Sequence, residues 1–181
     1  MYKRRTKPVV SEDYIVGLTD GEGCFYALVR PPYSKNGGAK VQLNFFIKVQ
    51  SSDKEMLEKV KNTLNCGFIY HQKEHRINHT QCVRYTVSSH RDILNIIVPL
   101  FKRNPLQGKI KRENFTLFSK IAELVSQGAH YTSNGIAQIQ HYKSQMNNGA
   151  RVVREIRTLR GNAKSPRLLQ SARHAMEVGS G

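Results

Sequence analysis

The sequence predicts an α+β fold in the order α-β-β-α-β-β-α, with two hairpins making one four-stranded antiparallel sheet. Three observations predict it. The apolar period switches from helical to two-residue twice, after residues 21–23 and again after Asn65-Cys66-Gly67. Each switch opens a pair of extended stretches, the first pair joined by "RPPYSKNGGAK" over 30–40, which has the Pro, Asn and Gly content of a long hairpin connection. With 39% hydrophobic and 23% charged residues, the 181-residue chain has apolar side chains enough for one full core.

Taken in order, Ser11 is the expected N-cap of a helix over about 12–21, with Glu12 and Asp13 in the first turn, where the helix dipole favours negative charge. Tyr14, Ile15, Val16 and Leu18 are its packing residues, and glycines end it. From Cys24, the residues Phe25, Ala27 and Val29 alternate with Tyr26, Leu28 and Arg30. The return strand sets Val41, Leu43, Phe45, Ile47 and Val49 against Gln42, Asn44, Lys48 and Gln50, with Phe46 the exception. Asp53 is the expected cap of a helix over 54–64, buried through Met56, Leu57, Val60 and Leu64. A second hairpin uses 68–72 and 82–89. Further helices are predicted over 90–101, stopping near Pro99, over 111–128 and over about 134–147. The domains expected are a basic N-terminal arm (1–10), the folded unit (11–147) and a basic tail (148–181). Arg151, Arg154, Arg157 and Arg160 in the tail would line one face of a helix.

Charge narrows the partners. The chain has 29 Lys plus Arg against 13 Asp plus Glu, a formal charge of +16, and the physical partner of such a surplus is a polyanion, nucleic acid first. A membrane partner is not expected, because the longest apolar run, "NIIVPLF" at 95–101, is far below a spanning length. No apolar stretch follows the basic residues of "MYKRRTKPVV", so no secretory leader is expected. Cys24, Cys66 and Cys82 form no CxxC pair and read as reduced thiols of an intracellular protein.

Helices on one face of a four-stranded sheet leave the other face open. The outward residues predicted there are Tyr26, Leu28, Arg30, Gln42, Asn44, Lys48, Gln50, Tyr70, Gln72, Arg84 and Thr86. None is acidic, and Arg, Asn and Gln are the side chains suited to bidentate hydrogen bonding of base edges.

Against this basic background stands "YIVGLTDGEGCF" at 14–25, with Asp20 and Glu22 two residues apart among glycines. Asp20 is read as shaping the helix end. Glu22 is expected just past that end, where no dipole stabilises an anion, so a cation is its natural partner. Mg²⁺ takes one or two carboxylates together with phosphate oxygens and waters, the ordinary arrangement for cutting phosphodiesters. Gly17 and Gly21 lie four apart on one helical face, so two helix backbones could approach closely there. A second copy of this helix would then bring two Glu22 carboxylates together on a two-fold axis.

These residues carry a resemblance. "IVGLTDGEG" (15–23) resembles the LAGLIDADG motif of the homing endonucleases: Gly17, Leu18, Asp20 and Gly23 match letter for letter, and Glu22 stands where the motif has its metal-binding acid. Residues 11–147 follow that family's element order. The resemblance implies a saddle-shaped sheet lying in the major groove of double-stranded DNA, and metal-dependent double-strand cleavage at the motif acids. A single motif implies a homodimer, paired through Gly17, Leu18 and Gly21, cutting a long pseudo-palindromic site. By the same resemblance Glu22 and the Gly21 carbonyl hold the divalent metal, Mg²⁺ first, with Ca²⁺ or Mn²⁺ able to occupy the site. Gln50 orders water near it, subject to a one-residue shift if a bulge intervenes, and Lys111 faces the scissile phosphate, with Lys109 competing for that role.

Two other readings are set against this one. His71, His75 and His79 with Cys66 and Cys82 invite a zinc site, but the stretch reads as a hairpin tip, where His-x₃-His spacing has no helical meaning. The alternative function is an intron RNA maturase, or a DNA-binding protein of the same fold without cleavage. Neither gains from an anion facing phosphate. The host compartment (organelle, bacterial or phage) is left open by the sequence.

Overall fold

The computed structural model describes residues 10–30, 39–72 and 80–146. Residues 1–9 of the arm, the tail, His75 and His79 lie outside the described residues. The elements are α1 (Glu12–Glu22), β1 (Gly23–Arg30), β2 (Lys40–Gln50), α2 (Lys54–Leu64), β3 (Phe68–Gln72), β4 (Cys82–Val87), α3 (His90–Asp92), α4 (Val98–Arg103), α5 (Lys109–Ser126) and α6 (Ser133–Gln145). The strands form one antiparallel sheet in the order β1-β2-β4-β3, the α+β arrangement predicted.

One face of the sheet is covered. Phe25, Ala27, Val41, Leu43, Phe45, Ile47, Val83, Tyr85 and Val87 point into a core completed by Ile15, Leu57, Val60, Ile93, Ile97, Phe101, Phe115 and Phe118. Phe25 is its hub, with its ring centroid 5.3–5.4 Å from those of Phe45, Phe101, Phe115 and Phe118. Such offset and edge contacts suit the ring quadrupoles and add to the large area each ring buries.

The structure corrects several expectations. α1 does not stop at Gly21. It runs through Glu22 and breaks at Gly23, where a Cβ would stand 2.4 Å from the Thr19 Cγ2, so only glycine fits. Of its four expected packing residues, Ile15 and Val16 are buried, while Tyr14 is 43% exposed and Leu18 half-buried. Ser11 caps as predicted, its Oγ accepting the Tyr14 N–H at 3.1 Å. Asp53 makes no side-chain cap bond; a 3-10 turn, Ser51–Asp53, leads into α2 instead. Pro99 does not end its helix. A π-helical turn over Ile93–Ile97 widens the helix just ahead of the ring, so the missing N–H and the crowded carbonyl four residues back are accommodated and α4 continues to Arg103. α5 starts at Lys109, two residues earlier than predicted, which puts Lys111 in its first turn.

Candidate active site and nucleic-acid interface

The open face is built by register. Across the four strands the rows are Cys24–Phe46–Thr86–Phe68, Lys48–Arg84–Tyr70 and Gln50–Cys82–Gln72, with Tyr26–Asn44, Leu28–Gln42 and Arg30–Lys40 continuing along β1 and β2. All ten predicted base-reading residues therefore share one face with Gln50. The ladder is continuous to the Gln50–Cys82 pair, so no bulge shifts Gln50 off this face. Among the described residues of the face none is acidic, and Arg30, Lys40, Lys48 and Arg84 supply positive charge.

Two features of this face escaped the sequence reading. Phe46 is no exception to the alternation; it belongs to the outer face and carries the Arg84 guanidinium over its ring, 4.2 Å from the centroid. Phe68 and Tyr70 stack beside it, with centroids 5.8 Å apart. Thr86, expected to be exposed, is only 7% so, because Phe46 and Phe68 flank it in the same row. Tyr26, Asn44, Phe46, Tyr70, Arg84 and Thr86 together line a cavity of about 330 Å³ in which Arg84 Nε and Thr86 Oγ1 have no hydrogen-bond partner among the described residues. Strict parity along the strands would have found Phe46, Phe68, Lys40, Cys24 and Cys82.

The motif end of the sheet gathers the candidate chemistry. Glu22, the last residue of α1, is exposed, and among the described residues no hydrogen bond or ion pair reaches its carboxylate. It lines a cavity of about 510 Å³ with Lys48, Gln50 and Asp53. Lys111 Nζ donates to the Gly23 carbonyl, the residue after Glu22, while Lys109 is exposed and makes no such contact. The geometry thus brings together Glu22, Gln50 and Lys111 and leaves Lys109 aside. Asp53 in this cavity had been read only as a cap. Beside it, burial pushes the Cys24 thiol above its usual range, against the opposing charges of Lys111 and Arg84.

A hard divalent cation fits this site. Glu22 offers an accessible anionic oxygen with no partner among the described residues. Among the described residues no group of three His, Cys, Asp or Glu could hold a metal, so the site is no all-protein cage. That donor set suits an ion such as Mg²⁺, which keeps waters and takes phosphate oxygens. Gly21 is exposed next to it. Among the described residues the zinc reading gains no ligand cluster: Cys66 Sγ lies 3.5 Å from the Tyr85 hydroxyl, under the covered face, whereas Cys82 belongs to the open one.

Asp20 does not shape its own helix end. Its carboxylate accepts the backbone N–H groups of Gln107 at 2.8 Å and Gly108 at 3.1 Å, at the start of α5. α1 itself shows an outward stripe of Tyr14, Gly17, Leu18 and Gly21, in which a Cβ at either glycine would meet nothing within 4 Å.

A helix that ends in an acid beside an open, acid-free sheet agrees with the family match: the sequence profile described as LAGLIDADG endonuclease matches residues 15–122, and the chain belongs to that family. Among relatives, it is 28% identical over 141 residues to "Probable intron-encoded endonuclease 2" of Neurospora crassa, covering 77% of this chain and 30% of that protein. Its fold matches the I-LtrWI LAGLIDADG homing endonuclease bound to target DNA, with a TM-score of 0.68 and 32% identity over 76% of this chain and 44% of that one. It also matches the homing endonuclease I-TnaI, with a TM-score of 0.66 and 28% identity over 82% of this chain and 97% of that one. The chain spans less than a third of the length of the curated relatives it matches. Among the described residues no helix is long and apolar enough to cross a membrane.

Proposed function

We propose that this chain is a site-specific homing endonuclease that hydrolyses both strands of DNA at a long pseudo-palindromic site, acting as a homodimer with a divalent metal, Mg²⁺ first. The observation that carries the reading is the exposed Glu22 carboxylate, without a partner among the described residues, in one cavity with Gln50 and next in sequence to the Gly23 carbonyl that Lys111 holds, at the edge of an acid-free sheet face. An anion in that position opposes phosphate unless a cation joins them. Glu22 and the Gly21 carbonyl would hold the ion, which when bound supplies Lewis-acid stabilisation of charge on the phosphate. Gln50 orients water through its amide, and the Lys111 ammonium stabilises negative charge at the cut strand. The open face reads the major groove through Arg84, Asn44, Gln42, Gln72, Arg30 and Lys48, with Tyr26, Leu28 and Tyr70 making the closer contacts and Thr86, covered by Phe46 and Phe68, lining the cavity that Arg84 shares. Fungal relatives named as intron-encoded support action inside the cell on an intron-bearing genome, an organelle's included.

The test is cleavage selection from a randomised duplex library in Mg²⁺, followed by kinetics of the wild type and Glu22→Gln on the selected site. Cleavage is expected to fall by about a hundredfold or more in the variant while binding is retained. A wild type that cuts nothing and instead binds an intron transcript tightly overturns the nuclease reading in favour of the maturase.

A further inference from the structure

Asp20 stands two residues before the motif acid, yet both its oxygens are committed to another helix. Oδ2 accepts from Gln107 and Oδ1 from Gly108. Gly108 is the N-cap residue of the 18-residue α5 and has no side chain with which to cap it. The first N–H groups of a helix lack partners within it, and its positive dipole end favours an anion. Asp20 supplies from α1 the carboxylate that α5 lacks.

A second bridge joins the same two segments in the opposite sense: Lys111, in the first turn of α5, donates to the Gly23 carbonyl. Glu22 therefore lies between two crosslinks, one from Asp20 to the backbone at 107–108 and one from Lys111 to the backbone at 23. The junction is tight, for a Cβ at Gly108 would stand 3.1 Å from Asp20 Oδ1 and 3.7 Å from Lys111 Cγ.

We propose that Asp20 is a positioning residue for cleavage: by clamping the start of α5 to the end of α1 it fixes the point from which Lys111 reaches the Glu22 site. This rests on the roles proposed above for Lys111 and Glu22. The first acid of the motif thus acts through the lysine, and the second through the metal. Asn at position 20 keeps one acceptor but turns an NH₂ donor toward the other backbone N–H, so one bond is lost and two donors face each other. Glu at position 20 restores the charge with a longer reach.

The test compares Asp20→Asn, Asp20→Glu and Lys111→Ala, alone and with Asp20→Asn combined with Lys111→Ala. For Asp20→Asn, kcat is expected to fall about 10- to 100-fold, the range a displacement near 1 Å at a reacting centre produces, with KM and the half-saturating Mg²⁺ concentration unchanged. Asp20→Glu should recover part of the loss. In the Lys111→Ala background the Asn substitution should add about twofold or less, because residues that act as one unit are not additive. An equal fall in both backgrounds, or a raised Mg²⁺ requirement, overturns the proposal. Hydrogen exchange of the Gln107 and Gly108 amides reads the clamp without any cleavage. Exchange about tenfold faster in Asp20→Asn supports it, and unchanged exchange overturns it. If the wild type itself cuts no DNA, the nuclease reading fails, while the exchange measurement still decides the clamp.

Discussion

In an isolated chain, alanine at Gly17 is expected to raise stability. The position is mid-helix in α1, an added Cβ meets nothing within 4 Å, and glycine costs a helix about 1 kcal/mol relative to alanine. For a unit of this size that gain lifts Tm by about 3–5 °C. In a dimer paired through this stripe an opposing cost enters. Two new methyl groups enter a crossing that glycine had kept close, and overpacking costs about 1–3 kcal/mol. The dissociation constant then rises about 5- to 150-fold. Sedimentation equilibrium measures this constant, and thermal unfolding below and above it separates the two effects: the rise in unfolding temperature that Gly17→Ala gives when dilute should shrink or vanish when concentrated. A wild type that sediments as a monomer throughout, or a Gly17→Ala dimer constant within about twofold of wild type, refutes pairing through α1.

Two further outcomes are expected. Arg84→Ala, which removes the guanidinium stacked on Phe46, should cost about 1–3 kcal/mol at one base pair and relax preference there, as read by competition with duplexes changed one pair at a time; a uniform loss over all duplexes would make Arg84 a phosphate contact instead. Phe25→Ala removes the ring at the centre of four others and should destabilise the domain by about 3–5 kcal/mol in denaturant unfolding, whereas a loss under about 1.5 kcal/mol would show that the core refills the space.

Where the sequence reading succeeded, the signal was local. Ser11 capped because its hydroxyl needs only the N–H three residues on. The strands followed parity, which is a property of each strand alone, and parity put the predicted base-reading residues on one face. The failures needed partners distant in sequence. Asp20 binds a segment 87 and 88 residues away, and nothing near Asp20 announces that Gly108 will cap a helix poorly. Thr86 is covered by Phe46 and Phe68, which meet it only once β2, β4 and β3 have aligned. Pro99 reads as a stop because its cost is local, whereas the π turn that absorbs it belongs to a helix held by core contacts of Ile93, Ile97 and Phe101. In the motif, Glu22 and its cationic surroundings were readable by resemblance. That Lys111 rather than Lys109 meets the Gly23 carbonyl depends on α5 starting at Lys109.

The unbroken pairing of β2 along its length has a metrical consequence. An antiparallel strand advances about 3.4 Å per residue, the same as the axial rise per base pair of duplex DNA. Over its 11 residues β2 therefore measures about one turn of duplex, and its outward side chains, Lys40, Gln42, Asn44, Phe46, Lys48 and Gln50, fall about every second base pair. One end of this ruler is Gln50, in the same cavity as Glu22. If the sheet lies in the major groove as proposed, recognition along β2 would be counted outward from the Glu22 site in steps of two, leaving the intervening base pairs to the neighbouring strands.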